Sequence, residues 1–289
     1  MSESKDIDFP YSKNIEKHLN KINSIPCAVK NIDCIYLINL DRRPEKLHRT
    51  LKQFAPYGIR PNRLPAIYGW TLPDDVFEDV GLKIRPGMLW KGSILMRQSG
   101  STPMTLPRYG MAAFYPRMSH GAVGTALSHL SVLQNAYDAG YQTIWVLEDD
   151  VSVKSDPRSL SNYIEKLDAL VGADGWDILY TDDVTYFEPF TPGTVWRPDM
   201  AGIDYDPLYE RTDRGEDFFK IGGRCQAHSM IMRRSAIQKI LEFEKSRGIY
   251  LPYDIEIAFV PSMRFFNLKH NVVIGGTLAN SDTIHRYFA

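Results

Sequence analysis

The residues Trp145-Val146-Leu147-Glu148-Asp149-Asp150-Val151 place three carboxylates directly after an apolar run. The apolar run predicts a buried strand within residues 143–153. Side chains on a strand alternate between its two faces, so Glu148 and Asp150 are expected on one face and Asp149 on the other. Two carboxylates on one face repel each other unless a cation or hydrogen-bond donors lie between them. The pattern therefore indicates a site for Mg²⁺ or Mn²⁺, completed by phosphate oxygens and water. An acidic turn after a buried strand is the alternative.

The composition is that of an ordinary globular protein. Its 289 residues suit one large α/β domain or two small ones, and a hydrophobic content of 44% is ample for a packed core. The formal net charge of -1 argues against attraction of the whole protein to nucleic acid or to an anionic membrane. Cys27, Cys34 and Cys225 are odd in number and lack a CxxC spacing, so neither a disulfide framework nor a structural zinc site is indicated.

The sequence predicts a cytoplasmic protein without a membrane-spanning segment. No apolar run approaches the roughly 20 residues that span a bilayer, and the polar start at residues 1–8 does not resemble a signal peptide. Peripheral association with the inner face of a membrane stays open.

Strands and helices alternate along the chain. The predicted strands cover residues 32–40, 61–68, 143–153, 176–181 and 227–232, and the predicted helices cover residues 41–54, 121–139, 157–171 and 235–245. Alternation of this kind predicts an α/β fold with a mostly parallel central sheet and helices on both faces. Residues 69–120 show no clean periodicity, and we interpret them as a long functional loop or flap.

Charges are distributed unevenly around this flap. No acidic residue occurs between Asp79 and Asp138, whereas six basic residues do: Lys83, Arg85, Lys91, Arg97, Arg108 and Arg117. A basic flap that faces an acidic metal pocket would bind a metal-bridged diphosphate. A solvated charged surface would produce the same bias.

In parallel α/β sheets, ligands bind beyond the carboxyl ends of the strands. Asn39, Asp41 and Arg42 end one predicted strand, and residues 148–150 end another. Their shared strand-end position predicts a single site.

The chain also resembles glycosyltransferase family 25, which contains lipooligosaccharide and collagen galactosyltransferases. The segments that carry the resemblance occur in the order of the family: Ile35-Tyr36-Leu37-Ile38-Asn39-Leu40-Asp41-Arg42-Arg43-Pro44, Leu64-Pro65-Ala66-Ile67-Tyr68-Gly69, Gly124-Thr125-Ala126-Leu127-Ser128-His129-Leu130, Leu147-Glu148-Asp149-Asp150-Val151, Trp176-Asp177-Ile178-Leu179, Gly222-Gly223 with residues 229–236, and Pro252-Tyr253-Asp254. Together they cover most of residues 32–260.

The resemblance implies a GT-A type nucleotide-sugar-binding fold, a UDP-sugar donor, a divalent metal and transfer with inversion at the anomeric carbon. We therefore expect residues 1–30 to be an N-terminal extension and residues 31–289 to be a single catalytic domain. The stretch before residue 31 and an insertion at about residues 81–118 depart from the compact bacterial pattern. The expected reaction moves a hexose, such as galactose, to a saccharide or glycoconjugate such as lipooligosaccharide, or to a protein hydroxyl or hydroxylysine.

The resemblance also suggests roles for single residues. Glu148 and Asp150 take the place of the acidic DxD element that holds the metal in GT-A enzymes, and His285 is a further metal-ligand candidate. The donor-binding candidates are Asn39, Asp41, Arg42, Ser128, His129, Glu148, Asp149, Gly222 and Gly223. Arg42 paired with Asp41 at a helix start is the structural alternative for that pair. For His129, a packed or solvated helical histidine is the alternative.

Inverting transfer needs a general base, for which a carboxylate is expected. Asp254 is the first candidate, with helix capping as its structural alternative. Asp182 and Asp183, just past a predicted strand, are the rivals. Two other classes of function stay open: a nucleotide-sugar-binding module without turnover, and phosphate-ester hydrolysis or nucleotidyl transfer. The absence of a P-loop motif argues against the last class.

Overall fold

The computed structural model describes residues 11–27, 29–86, 88, 108–116, 118–184, 195–200, 203–204, 206–276 and 282–283. Within these ranges the strands are β1 Cys34–Asn39, β2 Asn62–Pro65, β3 Leu82–Lys83, β4 Ala112–Ala113, β5 Thr143–Glu148, β6 Ser152–Val153, β7 Ile178–Tyr180, β8 Arg211–Asp213, β9 Phe218–Ile221, β10 Ser229–Arg233, β11 Phe265–Leu268 and β12 Val273–Ile274. The helices are α1 Tyr11–Glu16, α2 Pro44–Phe54, α3 Asp74–Val80, α4 His120–Asp138, α5 Leu160–Val171, α6 Arg234–Arg247 and α7 Tyr253–Glu256.

An eight-stranded mixed sheet forms the centre, in the order β2-β1-β5-β10-β7-β11-β9-β8. β1 is parallel to both β2 and β5, and β7 is parallel to β11. β10 is antiparallel to β5 and β7, and β9 is antiparallel to β11 and β8. Hence β10 and β9 run against the other strands, and the predicted mostly parallel α/β sheet is confirmed.

Helices cover both faces of this sheet. Because side chains alternate along β1, Tyr36 and Ile38 enter a core that includes α4 and α6. Ile35 and Leu37 enter the opposite core, which includes residues of α2 and α5. Full burial of one such side chain contributes about 1.5–3 kcal/mol to folding. Because both faces of β1 and β5 are buried, the sequences of these strands are continuous apolar runs without alternating polar residues.

The N-terminal segment packs onto one of these cores. Ile15 of α1 and Leu19 after it are buried in the core shared with α4 and α6. The backbone N–H of Asn20 donates to Ser131 Oγ at 2.9 Å, which ties this segment to α4.

The sequence located β1, α2, β2, α4, β5, α5, β7, β10 and α6 to within a few residues. It was wrong for part of residues 69–120, where the structure contains a 3-10 turn at Gly69–Thr71, the helix α3, and the strands β3 and β4, which pair with each other. Residues 87, 89–107 and 117, which are most of the predicted insertion at about residues 81–118, lie outside the described residues. The strands β8, β9, β11 and β12 were not predicted.

Candidate active site

A cavity opens at the carboxyl ends of β1, β2 and β5, where the N-terminal half of α4 also faces it. It contains about 590 Å³ of empty space, a volume that includes space open to solvent. Its lining consists of Ile38, Asn39, Leu40, Lys46, Ala66, Ile67, Tyr68, Gly69, Gly121, Thr125, Ser128, Glu148, Asp149, Asp150, Asp282 and Thr283. The structure thus brings the two predicted strand ends together.

All three acids of the run line this cavity. β5 ends at Glu148, and Asp149 and Asp150 lie in the turn that follows. As predicted, Glu148 and Asp149 face opposite ways, because Glu148 contacts His129 of α4 and Asp149 contacts Lys46 of α2 on the other face of the sheet, yet both carboxylates reach the cavity. Three carboxylates therefore share one site, which increases their mutual repulsion.

Glu148 is held by a histidine from α4. The His129 ring is buried, and its Nε2 lies 2.9 Å from Glu148 Oε1. The ring stacks on Tyr253, with centroids 4.2 Å apart and planes at 13°. Burial raises the pKa of Glu148, but the hydrogen bond from His129 and the charges of His129, His228 and Lys46 outweigh burial and leave this pKa lowered. His129 does not line the cavity, so it orients a lining carboxylate instead of forming the wall itself.

Asp149 is held by β1 and α2. Asn39 Nδ2 donates to Asp149 Oδ2 at 2.7 Å, and Lys46 Nζ lies 3.8 Å from Asp149 Oδ1. Thr50 Oγ1 donates to the Asp149 carbonyl at 2.8 Å. Burial raises the pKa of Asp149 despite the hydrogen bond from Asn39. The amide of Asn39 also accepts from Arg63 Nε at 2.9 Å, so Asn39 braces the acidic turn.

Asp150 is the least satisfied of the three acids. Its Oδ1 is buried and has no hydrogen-bond partner among the described residues. Burial, and then the charges of Glu148 and Asp149, raise the pKa of Asp150 to about 6. The backbone at Gly276 passes so close that a Cβ there would lie 2.5 Å from the Asp150 carbonyl oxygen. An orphaned carboxylate oxygen beside two other carboxylates is what a divalent cation would satisfy.

The donor set fits Mg²⁺ or Mn²⁺ by its chemistry, since every candidate ligand at this turn is a hard carboxylate oxygen. No cluster of three or more His, Cys, Asp or Glu side chains poised to hold a metal occurs in the described part of the chain. Glu148 and Asp150 could therefore hold an ion only with additional ligands. His285, the third metal candidate, lies outside the described residues.

Other predicted donor-binding residues take different positions. Ser128 lines the cavity, but its hydroxyl donates to the Gly124 carbonyl at 2.7 Å and accepts the Ile67 N–H at 2.8 Å. Arg42 is exposed, and its guanidinium carbon lies 4.5 Å from the centroid of the Tyr68 ring. Asp41 is exposed and pairs with Arg63. Neither Asp41 nor Arg42 is among the lining residues.

The glycine pair after β9 is also away from this cavity. A Cβ at Gly222 would collide with the carbonyl of Pro207, so the small residue permits close packing of a neighbouring 3-10 turn. The Gly223 carbonyl accepts a hydrogen bond from Arg211 Nη2 at 2.6 Å. Gly222 and Gly223 do not line the cavity.

Among the base candidates, Asp182 is buried and paired. Its carboxylate contacts the buried Arg224 and lies 2.6 Å from His228 Nε2. Although burial raises it, the pKa of Asp182 falls to about 2, because His228 and Arg224 bond to the ionised form. Asp183, by contrast, is exposed.

Asp254 lies in the first turn of α7, next to the Tyr253 that stacks on His129. Its Oδ2 accepts the N–H of Gln226 at 2.6 Å, and its Oδ1 accepts the N–H of Ile255 at 3.1 Å. Burial is the main cause that raises the pKa of Asp254, and the charge of Glu148 adds to it. The carboxylate thus anchors two backbone segments, and Glu148 is close enough to influence it.

Three site residues escaped the sequence reasoning. Lys46 and Asp282 both line the cavity, and their Nζ and Oδ2 atoms are 2.7 Å apart. His228 connects the two acidic regions, because its carbonyl accepts the Glu148 N–H at 2.9 Å and its ring contacts Asp182. One signal existed for Lys46: a cation in the first turn of a helix opposes the helix dipole and calls for an explanation.

Comparison with known proteins identifies the family of this chain. A sequence profile described as "Glycosyltransferase family 25 (LPS biosynthesis protein)" matches residues 32–255. The chain belongs to glycosyltransferase family 25. The matched range includes β1, the acidic turn and the first residues of α7, so the cavity falls almost entirely within the family 25 region.

Relatives within family 25 share about a quarter of the aligned positions. A "Glycosyltransferase 25 family member" of Aedes aegypti is 27% identical over 159 residues, which are 55% of this chain and 22% of the relative. One of Drosophila melanogaster is 24% identical over 170 residues, 59% of this chain and 23% of the relative. An "Inactive glycosyltransferase 25 family member 3" of Homo sapiens is 26% identical over 165 residues, 56% of this chain and 24% of the relative. The chain spans less than a quarter of each of these proteins.

The predicted family 25 assignment is confirmed. None of the helices in the described ranges has both the length and the apolar character needed to cross a lipid bilayer.

Proposed function

We propose that this chain is a metal-dependent, inverting glycosyltransferase that moves a hexose, with galactose as first candidate, from a UDP-sugar to a saccharide or glycoconjugate acceptor such as lipooligosaccharide. A protein hydroxyl or hydroxylysine is the alternative acceptor. The observation that carries the proposal is the cavity at the ends of β1 and β5, where four carboxylates and the cation of Lys46 line the same space. This combination suits a diphosphate whose charge is shared between a divalent ion and a lysine.

Glu148 and Asp150 would hold the ion, which when bound supplies Lewis-acid neutralisation of the UDP leaving group. His129 fixes the position of Glu148, and Asn39 fixes that of Asp149. Because β5 is paired on both sides, the backbone that carries these acids is held by β1 and β10. A site supported in this way needs little reorganisation when the donor binds.

Asp254 is the base that we propose for the acceptor hydroxyl. Its pKa is raised, mainly by burial, towards the range in which a carboxylate accepts a proton efficiently near neutral pH. Asp182 is less suited, because the lowered pKa that follows from its pairing with His228 and Arg224 makes it a weak base. Each Asp254 oxygen accepts a backbone N–H and still has a second lone pair for the acceptor hydroxyl.

The second candidate function is a nucleotide-sugar-binding module without turnover. The specific observation in its favour is that the Asp254 carboxylate accepts the backbone N–H groups of Ile255 and Gln226, which is a sufficient structural reason for its presence even though Pro252, and not Asp254, is the N-cap of α7. Two relatives of similar identity, from Homo sapiens and Mus musculus, are named "Inactive glycosyltransferase 25 family member 3". In this case the cavity would bind UDP-sugar and release no UDP.

The test is release of UDP from a panel of UDP-sugars with saccharide, lipooligosaccharide and hydroxylysine-peptide acceptors. We expect acceptor-dependent release that stops with a chelator and returns with Mn²⁺ or Mg²⁺. Glu165→Gln on the exposed surface of α5 is the matched control and should behave as wild type. Undiminished release in excess chelator would contradict metal dependence, and donor binding without release would establish the module.

Asp254→Asn tests the base. Asn keeps the volume and one acceptor oxygen for the backbone N–H groups but removes the carboxylate that takes the proton, so transfer should fall by roughly two to four orders of magnitude while donor affinity barely changes. Asp183→Asn is the comparison. If Asp183→Asn lost activity while Asp254→Asn kept it, the general base would be assigned to Asp183, after the end of β7.

A further inference from the structure

Two residues near the end of the chain form part of the cavity wall. Asp282 and Thr283 come from a part of the chain more than 130 residues after the acidic run, and both line the cavity. Their contacts are made with α2, with the turn at Gly69–Thr71 and with the start of α4.

The Asp282 carboxylate forms ion pairs with Arg43 and Lys46. Arg43 Nε donates to Asp282 Oδ1 at 2.8 Å and to Oδ2 at 2.9 Å, and Arg43 Nη2 lies 2.7 Å from Oδ1. Lys46 Nζ donates to Oδ2 at 2.7 Å. Forked contacts of arginine with a carboxylate fix both direction and distance, so they specify position as well as energy.

The backbone of the same two residues is held independently of the charges. Trp70 Nε1 donates to the Asp282 carbonyl at 3.2 Å, and Ser119 Oγ donates to the Thr283 carbonyl at 2.7 Å. Gly121 permits this approach, because a Cβ at that position would lie 2.5 Å from the Thr283 carbonyl oxygen. The glycine at position 121 of α4 therefore leaves the space that Thr283 occupies.

Lys46 is the member of this cluster that faces the site. Its side chain is 8% exposed, and Asp149 Oδ1 and Asp282 Oδ2 lie 3.8 Å and 2.7 Å from Nζ. Among the described residues that line the cavity, Lys46 is the one cationic side chain, beside the carboxylates of Glu148, Asp149, Asp150 and Asp282. A buried cation in the first turn of α2 opposes the helix dipole, so Asp282 and Asp149 hold it where the helix alone would not.

We propose that Lys46 contacts the diphosphate of the donor, and that Asp282 is the positioning residue that orients the Lys46 ammonium and fixes the C-terminal wall of the cavity. The inference deepens the proposed function and rests on it. A diphosphate needs cationic partners on more than one side, and Lys46 provides one beside the acidic turn. Asp282 and Thr283 therefore complete the donor site.

Binding of UDP and of uridine, measured by calorimetry in Mn²⁺, tests the inference. For Lys46→Met and for Asp282→Asn, we expect UDP to bind about tenfold to hundredfold more weakly, because a charge-assisted contact is lost or misplaced. Uridine lacks the phosphates, so its affinity should change less than about twofold. Glu45→Gln is the matched control, because it removes an exposed carboxylate that also pairs with Arg43 but does not line the cavity.

Gly121→Ala displaces the same wall without changing a charge. Alanine has a higher helix propensity than glycine, so if Thr283 did not contact this position, Gly121→Ala would leave the stability of the protein unchanged or raise it. We expect weaker UDP binding at unchanged uridine binding, since the new methyl group pushes against Thr283. Wild-type UDP affinity in both Asp282→Asn and Gly121→Ala would overturn the positioning role, and wild-type affinity in Lys46→Met would overturn the diphosphate contact.

The outcomes separate this inference from the proposed function. If the wild-type protein binds UDP but transfers no sugar, the proposed enzyme fails while the roles of Lys46 and Asp282 are still decided by binding. If it transfers sugar and the variants bind UDP normally, only the present inference fails. If the wild-type protein does not bind UDP at all, both are wrong.

Discussion

Asp150 follows β5 and Asp182 follows β7, two strands that both pair with β10, yet the two carboxylates differ in their partners and in the direction of their pKa shifts. Asp182 is buried between Arg224 and His228, and its pKa falls to about 2. Asp150 has a buried Oδ1 without a partner among the described residues and two acidic neighbours, and its pKa rises to about 6. A satisfied carboxylate stabilises the fold, whereas an unsatisfied one marks a place where a ligand is needed. The difference therefore distinguishes a carboxylate that stabilises the fold, Asp182, from one that is available to a ligand, Asp150.

The largest expected effect concerns Asp182. Asp182→Asn leaves the buried Arg224 without its counter-charge, so the free energy of unfolding should fall by about 3–5 kcal/mol. Urea unfolding measures it. Asp183→Asn, at the exposed neighbour, should stay within about 0.5 kcal/mol of wild type. Equal losses in the two variants would remove the distinction between the paired and the exposed carboxylate.

Asp150→Asn should act on activity instead. We expect transfer to fall by about two to three orders of magnitude, as when another preorganised charge is removed from an active site. The thermal midpoint without metal should stay level or rise, because the repulsion from Glu148 and Asp149 decreases. A midpoint well below wild type would mean that Asp150, like Asp182, is structural.

The pH dependence of stability distinguishes the two carboxylates further. The pKa of Asp182 lies below its ordinary value, so its contribution is present above pH 4 or so and is lost as the pH falls through about 2. The stability difference between wild type and Asp182→Asn should therefore shrink by about 2 kcal/mol over that interval. Urea unfolding at several acidic pH values gives the difference directly, and a constant difference would contradict the assigned pairing.

The smallest expected effect is stabilisation by the ion. At about ten times its dissociation constant, Mn²⁺ should raise the free energy of unfolding by about 1.4 kcal/mol in the wild type and by much less in Asp150→Asn. Asp183→Asn should respond as wild type. Thermal unfolding with and without Mn²⁺ measures this effect without any substrate, and an equal response of Asp150→Asn would place the ion elsewhere.

The sequence predicted those parts of the molecule that local physics determines. The strand β5 and the helix α4 carry strong apolar patterns and end at turn residues, so their positions followed from the residues themselves. The short helix α3 has seven residues, too few for a periodic signal. β9 and β11 pair with each other across more than 40 residues, and nothing local announces such a pairing.

The candidate site was predictable to the same extent. Residues 148–150 and Asn39 could be placed at strand ends, and the structure brings them together. Asp282 could not be predicted, because its contacts with Arg43 and Lys46 join residues 239 and 236 positions apart. The position of Asp182 after a strand suggested a general base, but its partners Arg224 and His228 come from a different loop, so the sequence could not show that Asp182 is paired.

The central position of β5 has a consequence for how this protein can diversify. Glu148 is paired in register with Ile38 of β1, and Leu147 with Ser229 of β10, so the strand cannot shift without breaking two ladders. The turn at Gly69–Thr71 at the edge of the cavity belongs to neither ladder, and its Trp70 Nε1 donates to the Asp282 carbonyl. Substitutions there can reshape what enters the cavity while the acids remain fixed. Selectivity and chemistry can therefore change independently in this chain.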